Sequence, residues 1–372
     1  MNQGPPNVSD RVVIAKPDIQ SVLDLLKQEG YLLIGPTLRE EAILYDEIAE
    51  MSDLPSGWTD EQGPGSYRVK KRDDEHYFGF IVGPNSWKSY LYPADLKLFS
   101  TCKMGDHFEV QAQVQSPPRY AFVGVRACDL AAIKILDRIF IEDAIQDSSY
   151  RARRENAFIL AVNCTEPGET CFCVSMGTGP ECTGDFDLAI TELKDTFLID
   201  VGSPLGAFML HGSTWRLAGA LEINRARQLM IAAESSMGRT LDTTGVADLL
   251  FNNLDHPRWD DVAMRCLSCA NCTLVCPTCF CSDVQDTSDL TCETTQRTRV
   301  WDSCFNPDFS YVHGGHVRPN IRSRYRQWLT HKMASWIGQF GTAGCVGCGR
   351  CITWCPVGID LTEEIAAIRG EV

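Results

Sequence analysis

Two runs of cysteine decide how the last third of this chain folds: Cys266-x2-Cys269-x2-Cys272-x3-Cys276-Pro277 and Cys345-x2-Cys348-x2-Cys351-x3-Cys355-Pro356. In each run three cysteines recur at every third position, and a fourth cysteine follows four residues later, directly before a proline. Four thiols within eleven residues form a dense set of potential metal ligands. The two complete copies predict two metal-binding loops of the same kind.

The spacing is that of bacterial ferredoxins, in which three cysteines surround one [4Fe–4S] cluster and the fourth reaches the other cluster. We therefore predict two clusters with crossed ligands. The cluster-one set is Cys266, Cys269, Cys272 and Cys355, and the cluster-two set is Cys345, Cys348, Cys351 and Cys276.

Disulfide bonds and zinc are the alternatives to iron–sulfur clusters. Disulfides require an oxidising compartment, and nothing in the sequence indicates export. A structural zinc site usually joins two Cys-x-x-Cys pairs into one tetrahedron, whereas each run here already supplies four cysteines. Both alternatives therefore explain the spacing less well than two clusters do.

Composition points to a globular protein without nucleic-acid or membrane partners. The 372 residues are 44% hydrophobic, carry a net charge of −15 and include 18 cysteines. A strongly acidic chain is repelled by nucleic acids and by anionic membranes. No apolar run reaches the length of a membrane span, and Met1 to Asp10 lacks the pattern of a signal peptide. We expect a cytoplasmic protein.

Residues 309–359 contain no Asp or Glu, although the chain as a whole is acidic. A [4Fe–4S] cluster with four thiolates is a buried anion, so nearby cations reduce the cost of burying it and raise its reduction potential. We interpret the stretch as support for the clusters or as a docking face. A solvated basic face and a nucleic-acid patch are the alternatives. Its basic residues include Arg318, Arg322, Arg324, Arg326, Lys332 and Arg350.

Strands that alternate with helices predict an α/β domain in the first two thirds of the chain. Residues 121–125 and 158–163 read as buried strands, and Cys128 and Cys164 follow them. Functional groups gather beyond the carboxyl ends of such strands. Cys171 and Cys173 come soon afterwards on an irregular loop. These four cysteines, the third set, predict a further [4Fe–4S] cluster, with Cys182 as a replacement for one of them and inert buried thiols as the alternative.

The domain boundary is expected near His256, giving an α/β domain over 1–255 and a helical two-cluster ferredoxin domain over 256–372. The insert between the cysteine runs is expected to be mostly helical. Asp129 is expected to cap a helix over 130–140. Further elements are predicted as helices over 40–51 and 97–102 and as a strand over 78–84. The other cysteines, which we interpret as neighbours of the clusters and not as ligands, are Cys102, Cys279, Cys281, Cys292 and Cys304.

Long motifs of this chain resemble a known family. They are GVRACDL from Gly124, VNCTEPGETCFC from Val162, CLSCANCTLVCPTCFC from Cys266, RVWDSC from Arg299, HGGHVRPN from His313 and CVGCGRCITWCP from Cys345. They resemble the iron–sulfur beta subunit of cytosolic NAD(P)-linked [NiFe] hydrogenases, the sulfhydrogenases. The iron–sulfur chain of anaerobic sulfite reductase is similar.

The resemblance implies an α/β domain followed by an α-helical ferredoxin domain, and an additional cluster on Cys128, Cys164, Cys171 and Cys173. It also implies a complex with a flavin subunit that binds NAD(P), a small iron–sulfur subunit and a large subunit with the NiFe site. The chain itself has no G-x-G-x-x-G dinucleotide motif after a strand. We therefore predict an electron-transfer subunit of an oxidoreductase complex without catalysis of its own. An iron–sulfur subunit of a sulfite reductase or another flavin-linked reductase, and a zinc-stabilised scaffold, are the alternatives.

Overall fold

A computed structural model describes residues 4–112, 116–291 and 293–370. Its strands are β1 Arg11–Ala15, β2 Tyr31–Arg39, β3 Ala42–Glu47, β4 Trp58–Gly63, β5 Ser66–Lys71, β6 Asp95–Met104, β7 His107–Ala112, β8 Arg119–Arg126, β9 Phe158–Val162, β10 Leu188–Glu192, β11 Thr196–Val201, β12 Trp215–Leu217, β13 Ser282–Ser288 and β14 Thr294–Trp301.

The helices alternate with the strands at first and then dominate the carboxyl-terminal part. They are α1 Gln20–Gln28, α2 Lys88–Leu91, α3 Ala127–Asp137, α4 Ser148–Glu155, α5 Pro204–Met209, α6 Ala220–Ser235, α7 Val246–Asn252, α8 Arg258–Arg265, α9 Asn271–Leu274, α10 Ile321–Thr330, α11 Trp336–Phe340, α12 Arg350–Thr353 and α13 Leu361–Arg369. In the described ranges, no helix combines the length and the apolar character needed to span a lipid bilayer.

A mixed sheet forms the centre of the amino-terminal part. Its strand order is β12-β1-β11-β10-β9-β8-β2-β3, and the four central strands β10, β9, β8 and β2 are parallel. Every residue of β9 and β10 is buried, as expected for strands covered on both faces. Because β8 and β9 are parallel neighbours, the cysteines that follow them meet at one edge of the sheet. The predicted α/β architecture of this part is confirmed.

Three of the predicted elements are wrong. Residues 42–47 form β3, which pairs with β2 after a turn in which Glu40 and Glu41 adopt left-handed backbone angles. Residues 95–104 form β6, and residues 78–84 contain no strand. Short segments that mix polar and apolar residues have no clear hydrophobic periodicity, so pairing with neighbouring strands decides their conformation.

A four-stranded sheet in the order β13-β14-β6-β7 joins distant parts of the chain. It pairs β14, from the insert between the cysteine runs, with β6 of the amino-terminal part. The expectation of a mostly helical insert is therefore wrong for residues 282–301. The division at residues 255 and 256 stays a prediction, and this sheet crosses it.

Helices build a second hydrophobic core around the cysteine runs. Trp259 of α8, Trp328 and Leu329 of α10 and Ile365 of α13 are buried together there. Phe172, from the third set's loop, belongs to the same core. The third set's loop is thus packed against the carboxyl-terminal part by apolar contact, which brings all the predicted ligand sets close together.

Candidate iron–sulfur centres

The two cysteine runs adopt the same local backbone. In the first run Ser268 and Ala270 have left-handed φ angles of 52° and 67°. In the second run Gly347 and Gly349 occupy the equivalent positions with φ angles of 64° and 74°. Each run then enters a single helical turn, α9 or α12. Left-handed φ angles are strained for serine and alanine. Because the first run adopts them nevertheless, both loops must need this backbone conformation for the same structural purpose.

Backbone donors already point at the sulfur atoms in both runs. The Ser268 N–H donates to Cys266 Sγ at 3.3 Å, and the Gly347 N–H donates to Cys345 Sγ at 3.4 Å. Hydrogen bonds to sulfur are one of the means by which proteins stabilise reduced iron–sulfur clusters. The equivalent loops are therefore preorganised for thiolate ligands.

The four thiols of the cluster-one set line one cavity of about 430 Å³. Its wall includes Tyr325 and Trp328, whose O–H and indole N–H have no hydrogen-bond partner among the described residues. A buried donor without a partner costs free energy unless an acceptor occupies the space beside it. Sulfide and thiolate would supply such acceptors, so the cavity fits a [4Fe–4S] cluster. Its cysteines are Cys266, Cys269, Cys272 and Cys355, together with Cys351 of the second run.

The cluster-two set surrounds a buried ammonium group. Lys332 is 4% exposed, and its Nζ lies 3.1 Å from Cys276 Sγ and 2.9 Å from the Gly344 carbonyl oxygen. Burial opposes the charged form, but the thiols of Cys276, Cys279 and Cys345 outweigh it and raise the pKa of Lys332. A hydrogen bond from the Cys279 thiol, followed by the charge of Lys332, lowers the pKa of Cys276 despite burial. This surrounding favours a thiolate at Cys276.

The other members of the cluster-two set are neighbours of Cys276. Burial raises the pKa of the Cys351 thiol, and the nearby thiols of Cys345, Cys348 and Cys276 raise it further. Burial likewise raises the pKa of Cys345 to about 12. Buried thiols of this kind stay protonated until a metal displaces the proton. The four predicted ligands therefore lie together, as a cluster site requires.

The third set also lines one cavity, of about 440 Å³, nearly the volume of the cluster-one cavity. Its four thiols are Cys128 and Cys164, at the ends of β8 and β9, and Cys171 and Cys173. Cys182 does not line this cavity; its backbone N–H donates to Asn163 Oδ1 at 2.7 Å and its side chain packs in the main core. The structure thus brings together the predicted four and leaves the replacement outside.

Two buried guanidinium groups face the third cavity. Arg126 is 5% exposed and donates through Nη2 to the carbonyl oxygens of Phe78 and Phe80, while its Nε and Nη1 have no partner among the described residues. Arg350 is bound by Asp129 at 2.8 and 3.1 Å. Asp129 is therefore a buried partner of Arg350 and not the helix cap that we predicted, since Arg126 precedes the first residue of α3. Unpaired buried donors beside four thiols fit an anionic cluster.

The second cysteine run lies between the other two ligand sets. Cys351 lines the cluster-one cavity, and Cys348 lines the third cavity. The Phe172 N–H donates to the Gly347 carbonyl oxygen at 2.8 Å, so the third set's loop contacts this run through its backbone. The order in space is cluster-one set, cluster-two set, third set. No pattern in the sequence indicates that Cys348 faces the third cavity.

A single metal ion fits these thiols poorly. In the described ranges, no three side chains among His, Cys, Asp and Glu close around one ion-sized point. A tetrahedral zinc site needs four ligands at about 2.0–2.3 Å from one ion. A cubane holds each thiolate on a different iron, so its thiolates stand farther apart. The geometry therefore favours clusters over the zinc scaffold.

The remaining cysteines divide into two groups. Cys279, Cys281 and Cys304 lie close to Lys332, whose charge acts on all three thiols. Cys102 lies on β6 opposite Thr294, at the far end of β14, and Cys292 lies outside the described residues. Lys332 was one of several cations in the acid-free stretch, and nothing in the sequence distinguished it from the others.

Known proteins resemble the part of the chain that holds the two cysteine runs. Residues 265–359 match the model of the 4Fe-4S dicluster domain family. The beta subunit of sulfhydrogenase 2 from Pyrococcus furiosus is 34% identical to the chain over 264 residues, which cover 69% of this chain and 76% of that protein. No solved structure matches the chain.

Proposed function

Because this chain belongs to the family of sulfhydrogenase beta subunits, we propose that it is the electron-transfer subunit of a hydrogenase complex. It would carry electrons between a flavin subunit that binds NAD(P) and the small iron–sulfur subunit, which serves the NiFe site of the large subunit. Bound [4Fe–4S] clusters would supply the one-electron chemistry. The chain's own residues hold the thiolates, exclude water and set the charge around them.

One observation carries the proposal: the second cysteine run contributes thiols to the cavities on both sides of it. Cys351 reaches the cluster-one cavity and Cys348 reaches the third cavity. Electron transfer needs carriers in close succession, and ligands from one short loop keep neighbouring carriers close. The proposed ligands are those of the cluster-one set, the cluster-two set and the third set, so the chain would hold three clusters.

The iron content of the chain tests the number of clusters. Three clusters correspond to about 12 irons per chain and two correspond to about 8, since each cluster holds four. We expect about 12 in the anaerobically purified protein and about 8 in Cys171→Ser. Cys102→Ser is the matched control and should keep about 12, because Cys102 lies away from all three sets. If the wild type held only about 8 irons per chain and Cys171→Ser left that number unchanged, the proposal of a third cluster would be wrong.

Purification from the native host tests the partners. We expect a flavin-containing subunit and a nickel-containing subunit to copurify with this chain in fixed ratio. Copurification with a sirohaem subunit in place of nickel would contradict the hydrogenase assignment while leaving the electron-transfer role intact. Metal and flavin analysis of the same complex distinguishes these results.

A further inference from the structure

The cluster-one cavity lies directly beneath the protein surface. Among the predicted ligands, all of which the structure describes, Cys269 alone is exposed. Leu267 and Val357 line this cavity and also reach solvent, with exposed fractions of 61% and 37%. Met264, at the end of α8, is 80% exposed. The wall between the cavity and solvent is therefore one side chain thick, and a carrier placed against it would lie close to the cluster-one set.

The loop over residues 306–320 extends this surface. It begins after Phe305 and ends at α10, which carries Tyr325, and both of these side chains line the cluster-one cavity. The Ser268 hydroxyl donates to the Phe305 carbonyl oxygen at 3.2 Å, which fixes the beginning of the loop beside Leu267. The HGGHVRPN motif lies in this loop, and none of the predicted ligand sets uses it.

The 306–320 loop holds apolar side chains in solvent on a backbone that its own contacts fix. His316 Nδ1 donates to the Pro307 carbonyl oxygen at 2.9 Å, and Val312 pairs with Gly315 in an antiparallel bridge. A loop that is already fixed loses little conformational freedom on binding. Clustered exposed apolar side chains are typical of protein interaction sites. The exposed apolar residues of the loop are Tyr311, Val312 and Val317.

Arg318 gives the same loop a cation without a counter-ion. Its Nη2 donates to the Phe309 carbonyl oxygen at 3.4 Å, and within the described ranges no carboxylate lies at ion-pair distance from it. Asp308, an acid of the same loop, lies 3.9 Å from the His316 ring, and residues 309–359 contain no further acid. Opposite charges face each other across protein interfaces. A carboxylate on a partner would complete this arrangement.

We propose that this surface, the cluster-one face, docks a redox protein that carries its own electron carrier beneath an apolar patch with acidic side chains at its rim. The proposal rests on the electron-transfer role proposed above, and it assigns the binding place of one of the two redox subunits. One electron at a time passes between the cluster-one set and the partner's carrier; one centre is oxidised, the other is reduced, and no covalent bond changes. The apolar members of the cluster-one face are Met264, Leu267, Tyr311, Val312, Val317 and Val357.

Charges placed on the cluster-one face test the proposal with the iron-loaded full chain. Met264→Glu and Val317→Glu change exposed side chains outside the ligand sets, so both should keep the wild-type iron content. The probes are the separated subunits that copurify with the wild-type chain from the native host. For one redox subunit the Kd should rise at least about tenfold in either variant, while the Kd for the other stays unchanged. Leu290→Glu is the matched control, because Leu290 is exposed on the turn between β13 and β14, and it should change neither Kd.

Arg318→Gln tests the charge of the partner surface. Removing a cation that faces carboxylates should make the Kd less sensitive to added salt than it is in the wild type. An unchanged salt dependence would contradict the acidic rim, and with it the proposed partner.

The remaining results separate failure of the docking site from failure of the proposed function. If the wild-type chain bound no redox subunit, the proposed function itself would be wrong. If the wild type bound and both Glu variants bound equally well, only the docking site would be overturned; equal losses for both redox subunits would overturn it too, because the cluster-one face would then not be specific for one of them. Sedimentation velocity of the isolated chain covers the last case. A dimer that dissociates in Met264→Glu and Val317→Glu would assign the face to a second copy of the chain, against the proposal.

Discussion

Replacing Lys332 by methionine should make the midpoint potential of one cluster more negative by about 100 mV. Methionine has a similar length and fills the same buried space, but it carries no charge. A cation beside a cluster favours the added electron, so its removal disfavours reduction. The perturbation acts on the cluster-two set because Lys332 Nζ lies 3.1 Å from Cys276 Sγ.

The magnitude follows from Coulomb's law. At 3.1 Å and an effective dielectric constant of about 20, a unit charge contributes about 5 kcal/mol at the sulfur. The added electron is spread over the cluster core, farther from the lysine, so roughly half of this value applies. For a one-electron couple about 1.4 kcal/mol corresponds to about 59 mV, and 2–3 kcal/mol therefore corresponds to about 100 mV.

Redox titration followed by electron paramagnetic resonance measures the effect on anaerobically purified protein. Lys332→Gln keeps an N–H donor near Cys276 without the charge, so its potential should lie between those of the wild type and Lys332→Met. Lys27→Met is the control, because Lys27 is on the surface and pairs with Asp24. A shift below about 20 mV in Lys332→Met at unchanged iron content would refute this reasoning.

Three further changes test the packing and charge around the sites. Gly347→Ala should destabilise the fold by about 2–4 kcal/mol, because the new Cβ would lie 2.6 Å from the Phe172 carbonyl carbon at a left-handed φ of 64°. Asp129→Asn should cost about 3–5 kcal/mol, because it leaves the buried Arg350 charge uncompensated. Burial raises the pKa of Asp60 to about 6. The folded state therefore favours the protonated acid, and this stability is lost as the pH rises from about 4 to 6. Between pH 5 and pH 7 the wild type should lose about 1 kcal/mol relative to Asp60→Asn.

Unfolding measurements on matched controls separate these effects from general damage. Gly105 has the same φ of 64° as Gly347 but no atom within 4 Å of an added Cβ. Gly105→Ala should therefore show only the cost of the left-handed backbone, about 1 kcal/mol. Glu61→Gln breaks an exposed ion pair with Lys70 and should change stability by less than about 1 kcal/mol. Equal losses of stability in the test and control variants would contradict the packing and burial arguments. A stability difference between the wild type and Asp60→Asn that does not change with pH would contradict the argument from the raised pKa of Asp60.

The amino-acid sequence by itself predicted the parts of this protein that depend on local spacing. The iron–sulfur domain over residues 265–359 could be recognised from cysteine intervals, because a short loop can wrap a cluster only at certain spacings, and the ligand sets themselves stay predictions. The strands over 119–126 and 158–162 could be recognised from continuous apolar runs, which belong to strands covered on both faces. These two inferences together placed Cys128 and Cys164 at one edge of the sheet.

Tertiary structure alone decided the features that depend on distant partners. Residues 95–104 form a strand that pairs with β7, which follows it directly, and on its other side with β14, nearly 200 residues later in the chain. Asp129 is a buried counter-ion because α12 brings Arg350 to it. Lys332 acquires its role because the Cys276 thiol lies against it in the fold. Charge, burial and sheet pairing arise between segments far apart in sequence, so no local pattern records them.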